Sequence, residues 1–185
     1  MIQQIDFAVL DWMQANLRCP FLDFMMPVIS LYAQYGILFI CTGIVMLMIR
    51  SRRICGAAVL AGLVSGGIIG NLCLKNLIAR SRPCWINTDI NMLVAVPRDY
   101  SFPSGHTMHS FIVATVLMRY DKRLGIPAFV MAFLVGISRM YLYVHFPTDV
   151  LVGGVLGVVI GIGVVVIFDR LHPATSIKAS GANSI

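Results

Sequence analysis

The chain has 185 residues, of which 58% are hydrophobic and only 12% charged, and its mean hydropathy is +0.86. No soluble domain can hide that much apolar surface, so the composition excludes a soluble protein and requires an integral membrane one. The net charge of +6 comes from 14 Lys and Arg set against 8 acids, all of them aspartate. No basic run is interleaved with aromatics, so nucleic acid is excluded as a partner and anionic lipid head groups are favoured.

In chain order, Met1 to Leu17 is not a cleavable signal, because Gln3, Gln4, Asp6, Asp11 and Gln14 interrupt any apolar core. Ile2, Ile5, Val9, Trp12, Met13 and Leu17 recur at helical spacing, which predicts an amphipathic helix in the membrane interface within a segment 1–24, ended by Pro20. Met25 to Ile49 is long enough for one span, although Gln34 and Gly36 interrupt it and leave a re-entrant piece plus a span as the alternative. A second span is expected over Ile54 to Leu74, with Gly56, Gly62, Ser65, Gly66 and Gly70 offering small faces for close packing. Asn76 to Tyr100 is the longest polar connection. Further spans are predicted over Pro103 to Met118, Gly125 to Val144 and Asp149 to Phe168, and residues 171–185 read as a loose tail.

The expected fold is therefore an all-α polytopic membrane helix bundle forming one domain over 1–185, with about five transmembrane helices and an N-terminal interfacial helix. One side collects Arg50, Arg52, Arg53, Arg119, Lys122, Arg123, Arg170 and Lys178. The other has Arg18, Lys75, Arg80, Arg82, Arg98 and Arg139. The excess makes the first side cytoplasmic and leaves the N-terminus and the Lys75–Ser101 loop outside. Cys41, Cys55 and Cys73 lie in apolar runs and read as packing residues. Cys19 and Cys84 lie in polar segments, and spacing alone leaves a disulfide between them open. No metal-ligand cluster can be assembled.

Ser101-Phe102-Pro103-Ser104-Gly105-His106 opens the third span, with Ser101 as the expected N-cap and Pro103 in the first turn. A helix start aims unpaired N–H groups at one spot and attracts phosphate; alone, such a stretch more often marks only a turn and a cap. The outer surface also gathers Lys75, Arg82, Arg139, His106, His145 and Asp149 at span ends or starts. Snorkelling accounts for any one cation, but not for their convergence with two histidines and a carboxylate. Arg139 lies within an apolar run and needs an anion partner. Trp85, Tyr100, Tyr141 and Tyr143 read as interfacial anchors and His109 as a locally hydrogen-bonded helix residue, with a place at the entrance as its alternative, while the roles of Arg80 and Arg98 stay open.

Lys75 followed after six residues by Arg82-Pro83, then Pro103-Ser104-Gly105-His106, then Ser138-Arg139 with His145 and Asp149 beyond, resembles the three-part signature of the type-2 phosphatidic acid phosphatase superfamily. That family includes membrane lipid phosphatases and soluble vanadium haloperoxidases. The match extends over residues 75–149. The resemblance implies hydrolysis of phosphomonoesters or diphosphates without a metal or other cofactor, through a phosphohistidine. It implies His145 as nucleophile, Asp149 as its orienting partner and His106 as the acid for the leaving oxygen. Lys75, Arg82, Ser104, Gly105 and Arg139 would hold the phosphoryl oxygens.

The implied partner is a phosphorylated lipid in the membrane, reached from the extracytoplasmic side of the inner (plasma) membrane; oligomeric state is not legible. Undecaprenyl diphosphate is preferred because Arg80 and Arg98 suit a second phosphate, with phosphatidylglycerophosphate or phosphatidic acid as alternatives. A phosphate-lipid binding or transport protein that does not turn over stays open as the non-enzymatic class.

Overall fold

The structure is a computed structural model that describes residues 1–33 and 36–173. Lys178 and almost all of the expected tail lie outside the described residues. The described chain is helical: α1 (Ile2–Leu17), α2 (Pro20–Tyr32), α3 (Ile37–Met48), α4 (Arg53–Gly66), the short α5 (Lys75–Ile78) and α6 (Pro83–Ile86), then α7 (Gly105–Tyr120), α8 (Lys122–Tyr141) and α9 (Pro147–Leu171). Between α4 and α5, residues Gly67–Leu74 continue the same rod as a π-helix.

Three helical stretches are long and apolar enough to cross a membrane: Arg50–Ile86, Lys122–Tyr141 and Pro147–Leu171. The expected Met25–Ile49 span is instead a bent pair, α2 and α3, whose axes differ by 46° and which counts as a fourth span if the pair crosses as one. The break falls at Ala33 and Gly36, where Gly36 takes a φ of +67° that a side chain would resist. Helix α7 is the fifth candidate. Its 16 residues reach only about 24 Å at 1.5 Å per residue, short of a hydrocarbon core of about 30 Å.

Most of α7 is buried, because it is the axis on which α4, α8 and α9 pack. The closeness of α9 follows from Gly153, Gly157 and Gly161, spaced four apart and so on one face. A Cβ on Gly153 would stand 2.7 Å from the Ser104 carbonyl oxygen, and one on Gly157 would stand 2.4 Å from that of Met108. Backbones in van der Waals contact fix the first turns of α7 and α9 against each other. The Ser104 N–H donates to the Asp149 carbonyl at 3.1 Å, which ties the two starts together.

Three expectations need correction. Helix α7 begins at Gly105 with Ser104 at its N-cap, because the Ser101 hydroxyl is taken by Asp149 and caps nothing. In α1 the apolar residues Ile2, Ile5, Val9 and Trp12 are exposed, but Met13 of the same expected stripe is buried, on a face shared with Leu10 and the polar Asp6. Tyr141 and Tyr143 are buried rather than interfacial, since their phenols donate to Asp23 and Asp11 of the N-terminal helices, each at 2.6 Å. The disulfide that the sequence left open is not formed: Cys19 and Cys84 are free thiols, one exposed and one buried.

Adding one methyl group at Gly157 forces α9 off α7, so Gly157→Ala should destabilise the protein by about 1–3 kcal/mol, the usual cost of overpacking. Nothing lies within 4 Å of a Cβ on Gly163, so Gly163→Ala should hold or raise the melting temperature in detergent. Equal melting temperatures for the two variants contradict this packing.

Candidate active site

Each element delivers its side chain from an end. The π-helical stretch hands over to Lys75 at the start of α5, and Arg82 stands in extended backbone ahead of α6. His106 lies in the first turn of α7, Arg139 in the last turn of α8, and His145 in the turn leading to α9. Pro147 occupies the first turn of α9, where its missing N–H costs nothing. The chain leaves α5 through Ala79 (φ +48°) and α8 through Tyr143 (φ +58°), the positive-φ non-glycine residues of the described chain, each just before a site segment.

The structure brings Lys75, Arg82, Gly105, His106, Arg139 and His145 around one cavity of about 1270 Å³. Its far wall is apolar, built from Val28, Leu31, Ile40 and Leu63, and the first three of these are exposed on the outer surface of α2 and α3. Ser104 and Asp149 are fully buried and do not line the cavity; the Ser104 hydroxyl is 2.9 Å from that of Thr107.

His145 is 1% exposed, and its two ring nitrogens face different chemistry. Nε2 lies 3.2 Å from Nη1 of Arg82, a group that can only donate, so Nε2 accepts and the proton sits on Nδ1. Nδ1 faces Ser101 Oγ at 3.4 Å and Asp149 Oδ2 at 3.8 Å. Ser101 donates to that same Oδ2 at 2.5 Å, and the Phe146 N–H donates to it at 3.0 Å. Ser101 therefore stands between imidazole and carboxylate, closing the gap between them. Burial, and then the charges of Arg82, Arg139, Lys75 and His106, hold the His145 pKa well below the ordinary histidine value, so the ring is neutral near pH 7 with its Nε2 lone pair on Arg82.

The cations divide by partner. Arg82 donates to the carbonyls of Asp99 (2.6 Å) and Val144 (2.7 Å) and to the Asp99 carboxylate (2.8 Å). Lys75 donates to the other Asp99 oxygen. Arg139 is 6% exposed and donates from Nη1 to Ser30; its buried Nε has no hydrogen-bond partner, and no carboxylate pairs with it among the described residues. Arg98 is exposed at the cavity rim. Arg80 is turned away from the cavity onto carboxylates. His109 donates from Nδ1 to the Gly105 carbonyl at 2.8 Å and also lines the cavity, so both readings of it meet in one residue. Among the described residues, no group of three or more His, Cys, Asp or Glu is placed to hold a metal ion.

Sequence reasoning missed Asp99, and it gave Ser101 the wrong task. The cue for Asp99 was the cation cluster itself, which needs a counter-charge, and the long loop offers only Asp89 and Asp99. Burial alone would raise the Asp99 carboxyl, but the Lys75 hydrogen bond and the Arg82 and Lys75 charges hold it down, to about 2. A depressed carboxyl keeps its pairing above the ordinary value of about 3.9 and loses it only as pH falls through about 2, so neutral pH does not free the cations. Asp99→Asn should therefore tighten orthovanadate binding by about tenfold, equivalent to about 1.4 kcal/mol, measured by titration calorimetry in detergent. Unchanged or weaker binding shows that Asp99 does not compete for this site.

A family profile described as the PAP2 superfamily matches residues 52–173. The chain is 33% identical over 136 residues to the bacitracin transport permease protein BcrC of Bacillus licheniformis, covering 71% of this chain and 66% of that one. It is 31% identical over 137 residues to an undecaprenyl-diphosphatase of Sulfolobus acidocaldarius, covering 74% and 66%. The matched part is thus about two thirds of the length of these two relatives. Among solved structures it is similar to a transmembrane PAP2-type phosphatidylglycerolphosphate phosphatase from Bacillus subtilis, with a TM-score of 0.76 and 31% identity over 91% of this chain and 87% of that one. For Aquifex aeolicus LpxE the TM-score is 0.70 and the identity 29%, over 86% and 93%. Lys75, Arg82, His106, Arg139, His145 and Asp149 all fall inside the matched residues, and the chain belongs to the PAP2 superfamily.

Proposed function

We propose that this protein is a membrane lipid phosphatase that passes the phosphoryl group of a phosphorylated lipid through a phosphohistidine to water, with no metal. The observation that carries the reading is Arg139, a buried guanidinium with no carboxylate partner and an unpaired Nε, beside Lys75 and Arg82 on one cavity. Three cations so held suit a phosphate-like dianion, and the exposed apolar wall across the cavity suits a lipid chain arriving sideways from the bilayer.

In the first step the His145 Nε2 lone pair attacks phosphorus and the bond to the leaving oxygen breaks. His106, entering as the imidazolium beside the bound phosphate dianion, gives that oxygen a proton and is left neutral, while Asp149, with Ser101, orients the His145 imidazole and balances the charge it gains. Lys75, Arg82, Arg139 and the N–H of Gly105 receive the three equatorial oxygens, for which Arg82 gives up its bonds to Asp99 and Nε2. Ser104, fully buried, holds its place by backing the Gly105 turn. In the second step water attacks phosphorus, His106 takes its proton, the P–N bond breaks and neutral His145 returns.

Undecaprenyl diphosphate is the preferred substrate. Arg80 no longer supports that choice, since carboxylates occupy it; exposed Arg98 at the rim does, together with relatives named undecaprenyl-diphosphatase in Sulfolobus acidocaldarius and Bacillus subtilis. Phosphatidylglycerophosphate is the second choice, on the likeness to proteins named for that activity. Transport of a phosphate lipid is the competing class, favoured by the permease name of one relative.

Phosphate release from a panel of diphosphate and monophosphate lipids separates these readings. Release should persist in EDTA and vanish in His145→Ala. His106→Ala should lose about 10²–10⁴-fold on an alkyl monophosphate and less on an aryl phosphate, whose leaving oxygen needs no acid. Binding without release by the wild type favours transport.

The cavity is further proposed to face the extracytoplasmic side of the plasma membrane, on the Lys and Arg asymmetry. With the native cysteines replaced, Asn87→Cys should label with an impermeant maleimide in intact cells. Labelling only after the cells are opened reverses the orientation.

A further inference from the structure

Arg80 lies two residues before Arg82 and does not line the cavity. Its Nη1 donates to Asp149 Oδ1 at 2.6 Å and to Thr148 Oγ1 at 2.7 Å, and its Nη2 donates to Asp6 Oδ2 at 2.6 Å. The guanidinium carbon sits 4.1 Å over the Phe146 ring. Asp6 comes from α1 and is 1% exposed; it also accepts from the Thr148 hydroxyl (2.6 Å) and from the Thr148 N–H (3.1 Å). Five contacts thus converge on the first turn of α9 from two elements far away in sequence.

The two oxygens of Asp149 are consequently divided. Arg80 holds Oδ1, while Oδ2 is left to Ser101, to the Phe146 N–H and to the side of His145 Nδ1. The guanidinium on Oδ1 resists rotation of the carboxylate, so Arg80 acts together with Ser101 and the Phe146 N–H to set where Oδ2 points. Asp6 in turn sets the plane of the Arg80 guanidinium. Without Asp6, the Arg80 fork loses its Nη2 carboxylate and is held only from Nη1, by Asp149 and Thr148, and by the Phe146 ring.

We propose that Asp6 and Arg80 are positioning residues for the phosphoryl-transfer step, acting through Asp149 on His145, so that the N-terminal helix α1 is part of the catalytic apparatus. This rests on the reading that His145 is the attacking group. Arg80 keeps the attacking imidazole aimed and does not hold phosphate, although it sits within the same short stretch as two cations that line the phosphate site.

The test is steady-state kinetics on an alkyl phosphate lipid with the full chain in detergent, each preparation normalised to folded protein by its vanadate-binding stoichiometry. Asp6→Asn and Arg80→Lys should each lower kcat by about tenfold and Arg80→Gln by about 10²-fold, the scale of a misplaced reacting group, with KM within about twofold of wild type. In an Asp149→Asn background, Arg80→Gln should cost less than about threefold more, because the residue it acts through is already lost. A purely structural pair would lower vanadate stoichiometry and multiply with Asp149→Asn, and that result overturns the proposal. So does a rise in KM at unchanged kcat, which would make Arg80 a phosphate ligand. If Asp149→Asn itself keeps wild-type kcat, the proposed reaction fails and this inference falls with it. If Asp149→Asn is impaired and the losses multiply, this inference fails and the reaction stands.

Discussion

Burying a guanidinium without an anion is among the costliest things a helix bundle can do, and Arg80, Arg82 and Arg139 meet that cost in three ways. Arg80 is held between two carboxylates, Asp6 and Asp149. Arg82 is divided between carbonyls and the half-exposed Asp99. Arg139 has one serine hydroxyl and an unpaired Nε. The series runs from structural to unsatisfied, and the unsatisfied end faces the cavity. The proposed phosphate site fits this series: Arg139, the one of the three with an unpaired N–H, lines the cavity, and Arg82 beside it is paired to a carboxylate that is itself half-exposed.

The helix packing exists to hold that arrangement still. Small residues let α9 lie against α7, so the start of α7 with Gly105 and His106 and the start of α9 with Asp149 meet at one level. Tyr141 and Tyr143, just ahead of His145, reach Asp23 and Asp11, which joins the N-terminal helices to the turn that leads into it. Asp6 adds a third tie from α1 to α9. A loose amphipathic anchor would not need three buried polar contacts to the turn that carries the proposed nucleophile.

What was legible in the sequence was what local pattern determines. Run length and periodicity located α7, α8 and α9 to within a few residues, and Gly36 marked the break that turns the expected Met25–Ile49 span into the bent pair α2 and α3. The signature residues Lys75, Arg82, His106, Arg139, His145 and Asp149 could be named because their spacing along the chain is itself distinctive. What was not legible depends on partners far apart in sequence. Tyr141 looks like an interfacial aromatic until its phenol is seen on Asp23, 118 residues away. Asp6 reads as a polar interruption of an amphipathic stripe, yet its side chain is the one that points inward, because Arg80 and Thr148 wait there. Arg80 and Arg82 are two residues apart and chemically identical, yet one is held by Asp6 and Asp149 away from the cavity and the other lines it beside Asp99. Ser101 had every local feature of an N-cap, and a buried carboxylate outbid the helix for its hydroxyl.

The account turns on a single chemical claim, that phosphorus is attacked first by the neutral Nε2 of His145 and only then by water. The stereochemistry at phosphorus tests it most directly. With a lipid phosphate made chiral by oxygen isotopes and a small alcohol as acceptor in place of water, two in-line displacements restore the original configuration. Net retention is the predicted result. Net inversion means one displacement, with the acceptor attacking the lipid phosphate itself, and it would contradict the phosphohistidine route.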